Sequence, residues 1–233
     1  MSLAAESRSR NQLLALLSLF ALLAPAGQAK GANRLTPPKP GLPTLLAATE
    51  ANYARAGSLS AEFSQEDISA AFGEKKASSG TLSWKSPDSL RWETKSPEAN
   101  LVVSNGRTVW LYTPPFDETE SGQVIIRKAS AVKSRMLDAL VAGRFSGLLR
   151  QGMAISSTAK RSFVLKPSKR ASGNLKQVSI TLDPNSPIIS KVAIEYRDGN
   201  RSTIELSQVR MGEKLPGSLF DFKIPPRTDV VRE

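Results

Sequence analysis

Apolar residues in this chain recur at every second position, in short runs that glycine, proline and asparagine separate. This alternation constrains the fold more than any other feature. Leu59, Ala61 and Phe63 alternate with polar neighbours, as do Leu82 and Trp84, Leu90 and Trp92, and Leu101 and Val103. A strand places successive side chains on opposite faces, so such runs predict half-buried strands. Asn105-Gly106 is a two-residue hairpin signal leading into 108–112, and Asp198-Gly199 is a second. Further strands are predicted over 123–127, 162–166, 175–182, 188–196 and 202–209. About ten strands joined mostly by turns predict a sheet built from hairpins and exclude a regular βαβ chain.

Helical periodicity is confined to three places. Leu45, Leu46, Thr49 and Tyr53 recur on one side of 44–55, and Gly57 supplies a stop. Met136, Leu137, Leu140 and Val141 form a second stripe. Phe145, Leu148 and Leu149 form a third beyond Gly143. Many strands and few helices predict a mainly β (α+β) fold. The expected form is a strongly curved antiparallel sheet, an unclosed β-barrel whose helical lid covers a hydrophobic cavity.

The N-terminus reads as an export signal. Residues 13–24 are an apolar run behind Arg8 and Arg10, and Gly27-Gln28-Ala29 offers small residues at a cleavage site. The run is short for a membrane span, which needs roughly 20 residues. The expected organisation is a signal peptide over 1–29, a proline-rich flexible spacer over 30–43 and one domain over 44–233. Cleavage would leave 204 of the 233 residues and lower the formal charge from +11 to +10. That length suffices for one substantial core.

Composition narrows the chemistry. With no cysteine and no histidine, disulfides, thiol nucleophiles, a lipid-modified cysteine and a serine–histidine pair are all ruled out. Asp117, Glu118 and Glu120 share a loop whose spacing suggests neither a catalytic pair nor a calcium site. Catalysis has little support, and no cofactor or metal is expected. The basic surface suits anionic lipid or an acidic protein partner, and its scattered charges do not suit nucleic acid. Trp84, Trp92 and Trp110 fall in predicted strands within 27 residues. Two readings fit them: the ordinary core of a sandwich, or the lining of an apolar ligand pocket that Met136 and Met153 make adaptable.

Several blocks follow one another along the chain: Phe63–Gln65, Gly80–Leu82, Ser86-Pro87, Leu90–Trp92 with Pro97, Leu101–Gly106, Val109–Tyr112 with Pro114, Gly173–Gln177, and Phe220–Pro226 before Asp229-Val230. Their order resembles the LolA family of periplasmic outer-membrane lipoprotein carriers. The resemblance covers about 45–231. It implies a soluble carrier in the periplasm that binds lipoprotein acyl chains, and a monomer is expected. Such a carrier takes lipoproteins from an ATP-driven releasing complex of the inner membrane and gives them to an outer-membrane receptor; transient contact with a membrane surface is expected from the basic charge.

On this resemblance the acyl chains would meet Leu82, Trp84, Leu90, Trp92, Leu101, Val103, Trp110, Tyr112, Met136, Leu137, Leu140, Phe145, Leu148 and Met153. The family commonly holds its helices closed with an arginine before the proline, and here that position is Ser86. Serine cannot reproduce a five-donor fork, so Lys85 or Arg91 is expected to compensate, or closure is looser. An envelope-stress sensor and a carrier of non-protein lipid are the alternatives on the same fold.

Overall fold

The computed structural model describes residues 43–132, 142–150, 152–168 and 173–233. The expected signal peptide, most of the spacer, and Met136, Leu137, Leu140 and Val141 lie outside them.

Chain order begins with helix α1, Thr44–Ala56, which ends at Gly57. There φ is 67° and the amide donates to Tyr53 O at 3.0 Å, a left-handed cap that favours glycine. Six strands follow: β1 Ser58–Ile68, β2 Lys75–Lys85, β3 Ser89–Ser96, β4 Asn100–Asn105, β5 Thr108–Thr113 and β6 Gly122–Lys128. Two short helices, α2 Ala129–Val132 and α3 Phe145–Arg150, precede β7 Met153–Ala159, β8 Ser162–Pro167, β9 Leu175–Leu182, β10 Ile189–Tyr196 and β11 Arg201–Met211. A 3-10 turn at Gly217–Phe220 leads to β12, Thr228–Arg232. No helix among the described residues is long and apolar enough to cross a membrane.

The twelve strands form one sheet in the order β12-β6-β5-β4-β3-β2-β1-β11-β10-β9-β8-β7. This corrects the expected architecture in two respects. The sheet is mixed, because β12 runs parallel to β6. Nor is it the strongly curved wall of an unclosed barrel: it is open, with β12 and β7 as its edges. Both edge strands escaped the pattern reading for one reason. An edge strand buries little, and β7 and β12 are mostly exposed, so neither carries a strong apolar alternation.

Residues opposite one another in a ladder share a face, and the register therefore sorts the side chains. Leu59, Trp84 and Leu90 stand in one row, and Ala61, Leu82, Trp92, Val102 and Leu111 in the next. This inner face continues through Ile204, Val192, Ile180 and Phe163. All of these are buried in the main apolar cluster or beside it. Leu46 and Tyr53 of α1 and Phe145 and Leu148 of α3 pack into the same cluster.

The opposite, outer face has a cover of its own. Leu101, Val103, Trp110, Tyr112 and Val124 occupy it in register. The C-terminal passage lies across them, with the 3-10 turn on β3 and β4. Phe222 packs against Tyr112 at 5.2 Å and Trp110 at 6.3 Å between ring centroids. Ser58 Oγ donates to Glu213 O at 2.7 Å, and Lys85 Nζ to Leu215 O at 2.9 Å.

Candidate functional site

The inner face gathers seven of the eleven expected lining residues that are described. Leu82, Trp84, Leu90 and Trp92 are buried there, and Phe145 and Leu148 meet them from the helical side. Met153 is half-buried against the same cluster from β7. Trp92 stacks on Phe63 across β2, with centroids 4.3 Å apart and planes tilted by 38°. Between them runs Gly80, opposite Phe63. A Cβ there would lie 1.9 Å from Glu93 O, so only glycine permits this approach.

Four expected lining residues are elsewhere. Leu101, Val103, Trp110 and Tyr112 face outward beneath the C-terminal passage. Alternation correctly paired Trp110 with Tyr112, but it cannot say which side of the sheet a strand turns toward. Where 101–103 is apolar throughout, only the pairing of Trp92 with Val102 decides. The inner positions missed by sequence reading include Leu46, Tyr53, Phe63, Val102 and Leu111. Phe63 and Tyr53 were visible as strand and helix residues, and nothing local marked them as neighbours of Trp92 or Phe145.

Holding the helices against the sheet falls to groups other than those expected. Lys85 is on the outer face and binds Leu215 O. Arg91 is also outward and pairs with Glu93 at 3.2 Å. Ser86 contributes its backbone N–H to Gly57 O at 2.8 Å. The arginine comes from the helical side instead. Arg144, just before α3, donates to Pro87 O and pairs with Asp88 at 3.1 Å, so it grips the β2–β3 turn that contains Ser86. Within the helical layer, Glu50 of α1 accepts from the Ser146 backbone N–H at 3.0 Å and from its hydroxyl at 2.6 Å, joining α1 to α3. Tyr53 Oη accepts the Ile189 amide at 3.2 Å, and burial pushes its phenol up to about 12, so it stays protonated.

At the end of the inner face near the β1–β2 turn, polar groups replace apolar ones. Gln65 Nε2 donates to Asp67 Oδ2 at 2.8 Å and to Ser202 Oγ at 3.4 Å. Burial raises the Asp67 carboxyl above its ordinary value, against the hydrogen bonds and Lys76. Tyr196 is pushed up to about 12, chiefly by burial and then by Asp67 and Asp198. On the outer face, a separate cavity of about 520 Å³ is lined by Ser64, Glu66, Ser79, Lys191, Thr203 and Glu205. Its walls are too polar for an acyl chain.

The family model for outer membrane lipoprotein carrier protein LolA matches residues 54–223. The chain belongs to the LolA family. Outer-membrane lipoprotein carrier protein of Azotobacter vinelandii is 31% identical over 186 residues, covering 77% of this chain and 84% of the relative. The protein of the same name from Pseudomonas aeruginosa is 29% identical over 227 residues, covering 96% and 98%. Among solved structures, an uncharacterized conserved protein from Thermus thermophilus aligns with a TM-score of 0.51 at 11% identity, over 81% of this chain and 97% of that one. That likeness concerns the fold alone.

LolA-family membership makes this chain a periplasmic lipoprotein carrier, not an enzyme. The partners of such a carrier are those of lipoprotein sorting. Among the described residues, no three His, Cys, Asp or Glu side chains are grouped to hold a metal ion.

Proposed function

We propose that this LolA-family protein takes up lipoprotein acyl chains on its inner face, between the sheet and the helices, when the helical layer parts from the β2–β3 turn. The observation that carries this reading is the continuous apolar surface from Leu111 through Trp92 and Leu82 to Ile180, covered by a thin helical layer. Polar contacts tie that layer down at two points, Arg144 to Pro87 and Asp88 and Tyr53 to Ile189, while Glu50 and Ser146 join its two helices to each other. Among the expected lining residues, Leu82, Trp84, Leu90, Trp92, Phe145, Leu148 and Met153 are the ones we assign to this face.

The energetics favour a carrier that holds its cargo only moderately. Exposing one CH₂ to water costs about 0.8 kcal/mol, so a chain of roughly 15 methylenes cannot cross an aqueous space bare. Three such chains sum to about 36 kcal/mol, beyond the roughly 20 kcal/mol at which noncovalent affinity saturates, and binding of that strength would trap the cargo. The relevant quantity is the difference between membrane and carrier. Each acyl chain must displace Leu46, Tyr53, Phe145 and Leu148 from the face they now cover, and this lowers the net gain. A releasing complex at the inner membrane would supply the work of loading, and a receptor at the outer membrane would offer the better site.

Native mass spectrometry with an acylated lipoprotein, and separately its unacylated form, tests the proposal. A one-to-one complex is expected with the acylated cargo alone, and Leu90→Glu or Trp92→Glu should abolish it in protein that still folds. Capture of both cargo forms alike, or full capture by a folded Trp92→Glu variant, would remove the acyl chain from the recognition.

A further inference from the structure

Strand directions in the sheet bring the β1–β2, β3–β4, β5–β6 and β10–β11 turns to one end. The most exposed large apolar side chain among the described residues stands there. Phe72, in the turn between β1 and β2, is 80% exposed, whereas Phe63, nine residues earlier, is 3% exposed. Residues 70–77 are all exposed, with Ala70 and Ala71 before the phenylalanine and Lys75 and Lys76 after it. Successive strand residues point to opposite faces, so the two lysines flank the tip on both sides.

The tip is ordered and it projects. Gly73 N donates to Ser69 O at 2.8 Å, and Ser69 N to Glu74 O at 2.9 Å. Ala70 N donates to Asn200 Oδ1 at 2.9 Å, bracing the tip against the β10–β11 turn. Beside β3, the register of β2 stops at Ser79. Lys75 to Ser78 therefore overhang that neighbour by four residues, roughly 13 Å of strand.

We infer that this tip is a docking point for an anionic lipid surface. An aromatic ring held out from a braced turn enters the headgroup boundary at little ordering cost, and flanking cations add attraction to anionic lipid. Lys75, Lys76, Arg197 and Arg201 stand at this end, against Glu74, Asp198, Asp67 opposite Lys76, and Glu195 opposite Arg201 and paired with Lys176, in a chain whose expected exported form carries a formal charge of +10. Lipid fits better than a protein groove, because a two-strand tip offers far less than the roughly 800 Å² per partner of a stable protein interface. Phe116, 71% exposed on the same end, has Asp117, Glu118 and Glu120 after it. That loop lies four strands away, about 19 Å, beyond a physiological Debye length of about 8 Å. Its acidic charge therefore leaves the attraction at Phe72 largely intact.

Co-sedimentation of the protein, purified from the periplasm without cargo, with phosphatidylglycerol-rich vesicles and with phosphatidylcholine vesicles tests the inference. Binding to the anionic vesicles is expected, and it should weaken with salt. Phe72→Ala should lower it at least about tenfold, and Lys75→Gln with Lys76→Gln about 25-fold, at about fivefold per lysine. All variants share one N-terminus, so differences report the tip. Capture of acylated lipoprotein by Phe72→Ala should be unchanged in mass spectrometry, which separates this inference from the reading of the inner face. Absence of vesicle binding, or vesicle binding that Phe72→Ala leaves intact, would overturn it. So would a Phe72→Ala defect confined to a purified protein partner.

Discussion

Replacing Arg144 by alanine should release α3 from the sheet without unfolding the sheet. Two contacts are lost. The ion pair with Asp88 spans 3.1 Å between side chains that are 40% and 30% exposed. Solvent screening limits such a pair to about 0.5–1 kcal/mol. The guanidinium also donates to Pro87 O, and at this half-open position that hydrogen bond adds about 1 kcal/mol. Together they hold the segment by about 2 kcal/mol, or roughly a 30-fold change in its opening equilibrium. Hydrogen exchange is the assay, because it reads local opening that a global melt averages away. Amides of 145–150 should exchange about 30-fold faster in Arg144→Ala, while those of β1, β2 and β11 keep their rates. Asp88→Ala alone should give a smaller effect. The double variant should fall short of additivity by about 0.5–1 kcal/mol, the share of the pair itself. Unchanged exchange in 145–150, or acceleration spread evenly over all strands, would refute the assignment of Arg144 as the clamp.

Three further outcomes are expected. Gly80→Ala should cost at least about 3 kcal/mol in urea unfolding, since its Cβ would sit 1.9 Å from Glu93 O and the strands must part; a loss below about 1 kcal/mol would show that β2 and β3 yield freely there. Asp67→Asn tests the raised carboxyl. Native Asp67 binds its proton more tightly than the unfolded chain, so its contribution is fully present below the ordinary value of 3.8 and is lost as pH rises through the native value. The variant should therefore gain stability over the parent near neutral pH, with the gain shrinking as pH falls through the raised native value and gone below the ordinary value of 3.8; a constant difference in melting temperature from neutral pH to below 3.8 would contradict this. Glu50→Gln removes the charged acceptor at Ser146. It should cost about 1 kcal/mol and, combined with Arg144→Ala, speed exchange in 145–150 beyond either change alone.

The sequence alone determined the strand-rich class, ten of the twelve strands, the helix ending at Gly57 and, through block order, the family. Each depends on local chemistry: period-two alternation, Asn-Gly and Asp-Gly turns, and a glycine stop. Leu82, Trp84, Leu90 and Trp92 were legible as a set because two adjacent strands carry the same leucine–tryptophan alternation across a short turn. Tertiary structure decided the rest. Trp110 and Tyr112 carry the same alternation as Leu90 and Trp92, yet they lie under Phe222 on the other side. A strand's pattern fixes which residues share a face, and its register with neighbours fixes which face that is. Likewise, nothing within a few residues of Arg144 points to Pro87 and Asp88, and no period announces that β12 joins β6 in parallel. Those choices belong to contacts between residues 56 to 112 positions apart, where the sheet's geometry, not local propensity, selects the partner.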